Sequence, residues 1–102
     1  MYNSEIILAA IYRAIDWMNE ELPPERKLIK SPQTRLLGPE SLLDSMRFVT
    51  LIVTIEREIQ EALGATLTLA DERALSMKHS PFRSVESLAA YVATLLRETT
   101  NA

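Results

Sequence analysis

The stretch that decides the fold is Leu36 to Ile59, LLGPESLLDSMRFVTLIVTIEREI. Gly38-Pro39 is a turn pair, and proline's fixed φ and missing N–H keep Pro39 out of a helix interior. From Arg47 to Leu63 there is no Gly or Pro, and Phe48, Leu51, Ile52, Ile55, Ile59 and Leu63 recur at steps of three and four. That is the helical period, so the pattern predicts a helix over 45–63. Gly64 follows where a left-handed C-terminal residue belongs. Asp44 and Ser45 stand at the junction, the place for capping residues. Ser45 is thus expected at a helix N-terminus, near backbone N–H groups that lack intrahelical acceptors and at the positive end of the dipole. Such an end suits a bound or attached phosphate. On position alone, a plain cap is the simpler account of Asp44 and Ser45.

Upstream, Leu8, Ile11, Ile15, Met18 and Leu22 make one stripe, widened by Ile7, Ala14 and Trp17, and predict a helix over 4–22. Ser4 reads as its N-cap and Glu5 favours its first turn. Trp17 falls beside the stripe, so it is expected at the core or its edge, with a partner-facing anchor as the alternative. Pro23-Pro24 stops this helix, because a residue before proline avoids the α region. Residues 23–44 then form a long connection. Leu28, Ile29, Leu36, Leu37, Leu42 and Leu43 are expected to pin it to the core, and Arg26, Lys27, Lys30 and Arg35 make it basic. A solvated loop accounts for those charges; a docking role is the alternative.

Downstream, Ala65-Thr66-Leu67-Thr68-Leu69 alternates apolar with polar. A lone strand would have nothing to pair with, so this segment is read as extended loop with its leucines in the core. Asp71 is expected to cap a short helix over 72–77, and His79 sits in the turn that follows. After Pro81, Ser84 reads as an N-cap with Glu86 in the first turn. Val85, Leu88, Ala89, Val92, Leu95 and Leu96 form a buried stripe, predicting a helix over 85–97 with fraying from Thr99 onward.

Composition bounds the function. The chain has 102 residues, fitting one domain over 1–102, and 47% hydrophobic residues, enough for a modest core. No apolar run approaches a membrane span. The N-terminal stretch carries Glu5, Arg13 and Asp16 within its apolar region and does not read as a signal peptide. Without cysteine there is no disulfide, thiolate metal site or cysteine nucleophile. The single histidine argues against a site built on histidines alone, and the net charge of −3 argues against a nucleic-acid surface. A hydrolase built on Ser45 would need a base and an oxyanion hole, and His79 is the only histidine.

The segment LLGPESLLDSMRFVTLIVTIEREI resembles the phosphopantetheine attachment segment of the acyl carrier protein family. There a Gly-containing loop runs into Asp-Ser-Leu and then an amphipathic helix; here Asp44-Ser45-Met46 stands in that place, with Met for Leu at little change of volume. Phe82 to Leu88 with Tyr91 is similar to the family's fourth-helix entry. The motif likeness covers about Leu36 to Leu96. It implies an all-α, four-helix acyl-carrier-like bundle of three long helices and one short, with a long loop between the first two.

The resemblance further implies that Ser45 carries 4′-phosphopantetheine, added from coenzyme A by a phosphopantetheinyl transferase, with Asp44 as the helix cap that assists that enzyme. The arm's thiol would hold acyl or aminoacyl groups as thioesters, so the chain would be a carrier and not an enzyme. Its partners would be loading and downstream enzymes of a fatty-acid, lipid, polyketide or nonribosomal peptide pathway, met as a cytoplasmic monomer. Met46, Arg47, Val49, Thr50, Glu56 and Arg57 are the expected partner-binding residues. Met46, Val49 and Ile52 fit either an acyl path or the core equally well. Carriers of fatty-acid synthesis have a strongly acidic second helix. Here Arg47 and Thr50 occupy positions often acidic, and Arg57 interrupts Glu56 and Glu58. A specialised carrier is therefore expected. The competing class is a helical protein-interaction module on the same fold without the arm.

Overall fold

The computed structural model describes residues 4–36, 43–69 and 81–100. Among these the chain is helical: α1 (Ser4–Asn19), a 3-10 turn (Pro24–Arg26), α2 (Ser45–Leu63) and α3 (Val85–Thr100). No strand is present among the described residues; a single antiparallel bridge joins Arg35 and Ser84. The expected short helix over 72–77, its cap Asp71, and His79 lie outside the described residues, as do Gly38-Pro39, Leu37 and Leu42.

Helix α1 is the hub. It packs against both α2 and α3, whereas no Cα pair of α2 and α3 comes within 8 Å. Ile7, Ile11, Ala14 and Ile15 of α1 are fully buried, and α2 answers them with Leu51, Ile52, Ile55 and Ile59, also fully buried. Leu88, Val92 and Leu96 complete the core from α3. Phe82 fills the space beside α3's entry, with edge-to-face contacts to Phe48 of α2 at 5.7 Å and to Tyr91 of α3 at 6.1 Å between ring centroids. Such aromatic pairs add attraction beyond their buried area.

The helix ends differ from expectation in instructive ways. α1 has its expected start at Ser4, where the described residues begin. It ends at Asn19, not Leu22: Glu21 and Leu22 donate to carbonyls three residues back, so the last turn tightens before Pro23. α3 runs to Thr100, three residues beyond the expected Arg97. α2 has the expected bounds, closed by Gly64 at φ 68°, whose N–H bonds the Gln60 carbonyl at 2.8 Å. Nothing lies within 4 Å of where a Gly64 Cβ would sit, so the left-handed backbone and not space is what calls for glycine.

The long connection is tied down by specific bonds. The Asn19 side chain clasps Leu28 in both directions, donating to its carbonyl at 2.9 Å and accepting from its N–H at 2.8 Å. Lys27 donates to the Asn19 carbonyl at the helix C-terminus, where a cation is favoured. Lys30 pairs with Asp16 at 3.2 Å. The basic residues of the loop are thus partly spent on α1.

Leu28 and Leu36 are buried and Leu43 packs against the core, but Ile29 is 76% exposed and pins nothing. The clasp on Leu28 turns the next residue outward. Further on, Leu36 N–H bonds the Arg83 carbonyl, and the first amides of α3 use loop carbonyls as caps: Val85 to Thr34 at 3.0 Å and Glu86 to Pro32 at 2.8 Å. Ser84 and Ser87 exchange bonds, each backbone N–H donating to the other's hydroxyl. Ser84 is the expected cap, and this is a capping box with serine in place of glutamate. The 65–69 segment has no regular structure, and Leu67 and Leu69 are buried as expected.

Candidate functional site

Asp44 is the N-cap of α2. Its backbone is extended, at φ −81° and ψ 174°, and its carboxylate accepts from Arg47 N–H at 2.8 Å. Its carbonyl takes the first intrahelical bond, from Phe48 N–H at 2.9 Å. Ser45 is therefore the first residue of a 19-residue helix, as its sequence position predicts. The amides of Ser45 and Met46 have no acceptor within α2 itself, and together with the dipole they make this end favourable for an anion.

The face of α2 that starts beside Ser45 is apolar. Met46 is 80% exposed, Val49 50% and Val53 46%. At spacings of three and four residues these side chains share one stripe. Phe48, Leu51, Ile52, Ile55 and Ile59 occupy the opposite face, in the core. This resolves the three residues that spacing left open. Met46 and Val49 point away from the core, whereas Ile52 is fully buried and is core. Thr50, beside the stripe, donates its hydroxyl to the Met46 carbonyl at 3.0 Å, and Thr54 donates to Thr50's at 2.8 Å. Both hydroxyl donors are turned onto their own helix, leaving the stripe with little directional polarity.

The charged residues of α2 divide in a way their order does not reveal. Arg47 is half-buried at the start and Arg57 is exposed. Glu56 reaches the following loop, its carboxylate accepting from Leu69 N–H at 2.5 Å. Glu58 is buried, and its carboxylate accepts from Arg13 Nε of α1 at 2.8 Å. Two of the glutamates that make the helix look mixed are thus committed inside the fold, and the outer surface is less acidic than the sequence suggests. A groove between α2 and the next loop is lined by Val53, Glu56, Arg57, Gln60, Thr66 and Leu67.

Sequence reasoning missed Val53, the third member of the stripe, although its place four residues after Val49 was a usable signal. It also missed the buried pairing of Glu58, for which periodicity held a hint, since residue 58 adjoins Ile55 and Ile59 on the wheel. Trp17, expected at the core or its edge, is instead 60% exposed. Ala10 and Ala14 fill α1's side of the interface, so the neighbouring indole is left outside. Among the described residues no three His, Asp or Glu side chains are grouped to hold a metal. No helix among them is long and apolar enough to cross a membrane. No protein-family model, curated protein or solved structure matches the chain.

Proposed function

We propose that this chain is a discrete acyl carrier protein, with Ser45 the attachment residue for 4′-phosphopantetheine. The observation that carries the reading is the placement of Ser45. It opens a long capped helix, and an exposed apolar stripe begins at the very next residue. An anionic phosphodiester fits the start of α2, where the dipole and the leading amides favour negative charge. Asp44 holds that helix end in register by capping Arg47. When bound, the arm supplies a thiol that carries acyl or aminoacyl groups as thioesters. Met46, Val49 and Val53 offer partner enzymes an apolar landing strip, with Arg47, Thr50 and Arg57 at its margins.

On this reading the helix expected over 72–77 completes a four-helix bundle. The chain is then the substrate of a phosphopantetheinyl transferase and not itself a catalyst. It works as a cytoplasmic monomer within a fatty-acid, lipid or secondary-metabolite pathway.

The test is intact mass after incubation with coenzyme A, Mg²⁺ and a broad-specificity phosphopantetheinyl transferase. The expected result is one added phosphopantetheine on the parent and none on Ser45→Ala, with the helical circular dichroism of the two alike. Labelling that persists in Ser45→Ala moves the attachment elsewhere. No labelling of the folded parent leaves the interaction module as the better reading.

A further inference from the structure

The chain has four methionines and no cysteine, so its sulfur chemistry belongs to thioethers. Met18 and Met46 lie among the described residues, in opposite surroundings. Met18 is 5% exposed, packed into the core from α1. Met46 is 80% exposed in the first turn of α2, more than any other large apolar side chain among the described residues. A dissolved oxidant meets the Met46 thioether directly, whereas that of Met18 must first be uncovered. Met46 also heads the apolar stripe it shares with Val49 and Val53, and it directly follows Ser45. The most accessible thioether among the described residues therefore stands where the stripe meets the start of the helix.

We propose that Met46 is a redox-sensitive modification site, and that its oxidation to the sulfoxide by a peroxide switches off docking on the α2 stripe; the docking half rests on the carrier reading of Ser45. The sulfur lone pair attacks one oxygen of hydrogen peroxide. An S–O bond forms as the O–O bond breaks. Sulfur gives up an electron pair, and the departing oxygen takes it and leaves with both protons as water. A flexible apolar side chain thereby becomes a polar one. Any enzyme acting at residue 45 approaches Met46, and an apolar contact there would bury the new oxygen without a donor, which is unfavourable. A methionine sulfoxide reductase returns the thioether, so the change is reversible.

The full chain is treated with hydrogen peroxide, the peroxide is removed, and the product is mapped by peptide mass spectrometry. Sulfoxide is expected at Met46 while Met18 stays unmodified. The oxidised chain should leave a phenyl column earlier than the parent. Its labelling from coenzyme A by a phosphopantetheinyl transferase should slow about tenfold at limiting chain concentration, the scale for burying one unpaired polar group. Sulfoxide reductase should restore both. Met46→Leu keeps an apolar side chain of similar volume without the sulfur. It should be labelled like the parent and hold that rate after peroxide, which sets aside Met1 and Met77 as the cause. Circular dichroism checks that each form is folded. Oxidation of Met18 as fast as Met46, or unchanged phenyl retention, overturns the site. Unchanged labelling of the Met46 sulfoxide, or an equal loss in peroxide-treated Met46→Leu, overturns the switch. No labelling of the unoxidised parent refutes the carrier reading instead and the docking half with it, while mapping and phenyl retention still decide the site.

Discussion

Arg13→Ala tests whether the junction between α1 and α2 depends on a charge pair. The Glu58 side chain is only 9% exposed, while Arg13 is 48% exposed, and 2.8 Å separates Nε from the carboxylate oxygen. Removing Arg13 leaves a buried carboxylate with no other hydrogen bond among the described residues. Breaking a fully buried pair costs about 3–5 kcal/mol. An exposed pair contributes about 0.2–1 kcal/mol. With one partner buried and the other half in water, the expected loss is about 2 kcal/mol, the range of a hydrogen bond to a charged group.

The assay is urea unfolding followed by circular dichroism, treated as two-state. With a slope of about 1.5 kcal/mol per molar, typical of a small domain, the midpoint should fall by about 1.3 M. Arg13→Met together with Glu58→Leu removes both charges and leaves apolar groups at the interface. That double variant should recover to within about 1 kcal/mol of the parent, since matched apolar replacement avoids the desolvation cost. The parent, Arg13→Met, Glu58→Leu and the double variant form a thermodynamic cycle that isolates the coupling. A loss below about 0.5 kcal/mol for Arg13→Ala, the level of an ordinary surface change, would refute the reasoning. So would a double variant no more stable than Arg13→Met alone.

Ile55 is fully buried at the centre of α2's inner face, and Ile55→Ala should lower stability by about 2–5 kcal/mol in the same denaturation assay. An unchanged midpoint would mean that this face of α2 is not packed. Because Glu58 is buried and Glu56 is bonded to the loop, α2 offers little outward acidity to enzymes built for a uniformly acidic carrier. The armed form should therefore be a slow acceptor for a fatty-acid-pathway malonyl transferase, and Arg47→Glu with Arg57→Glu should speed transfer, the gain shrinking as salt rises. Malonyl transfer to the parent at the rate of a fatty-acid carrier would make a housekeeping carrier the better answer.

The sequence by itself determined the local framework. The apolar period and Gly64 set the bounds of α2; Asp44 and Ser84 were legible as caps; Pro23 marked the close of the first helical segment, though its last turn tightened early. Each depends on backbone geometry and neighbours within a turn, so the information is present in a short window. Ser45's place at a helix N-terminus belongs to this class. The tertiary structure decided which side chains those helices spend on one another. Met46, Val49 and Ile52 are similar apolar residues within two turns, yet only Ile52 is in the core, because α1 and the loops cover one side of α2 and leave the other open. Trp17 and Ile29 are exposed for the same reason: burial requires a surface to pack against, and hydrophobicity alone does not supply one. Glu58 and Glu56 look alike in the chain, but one meets Arg13 and the other Leu69. Those partners lie 45 and 13 residues away, so only the folded arrangement of α1, α2 and the following loop could determine which carboxylate would be buried.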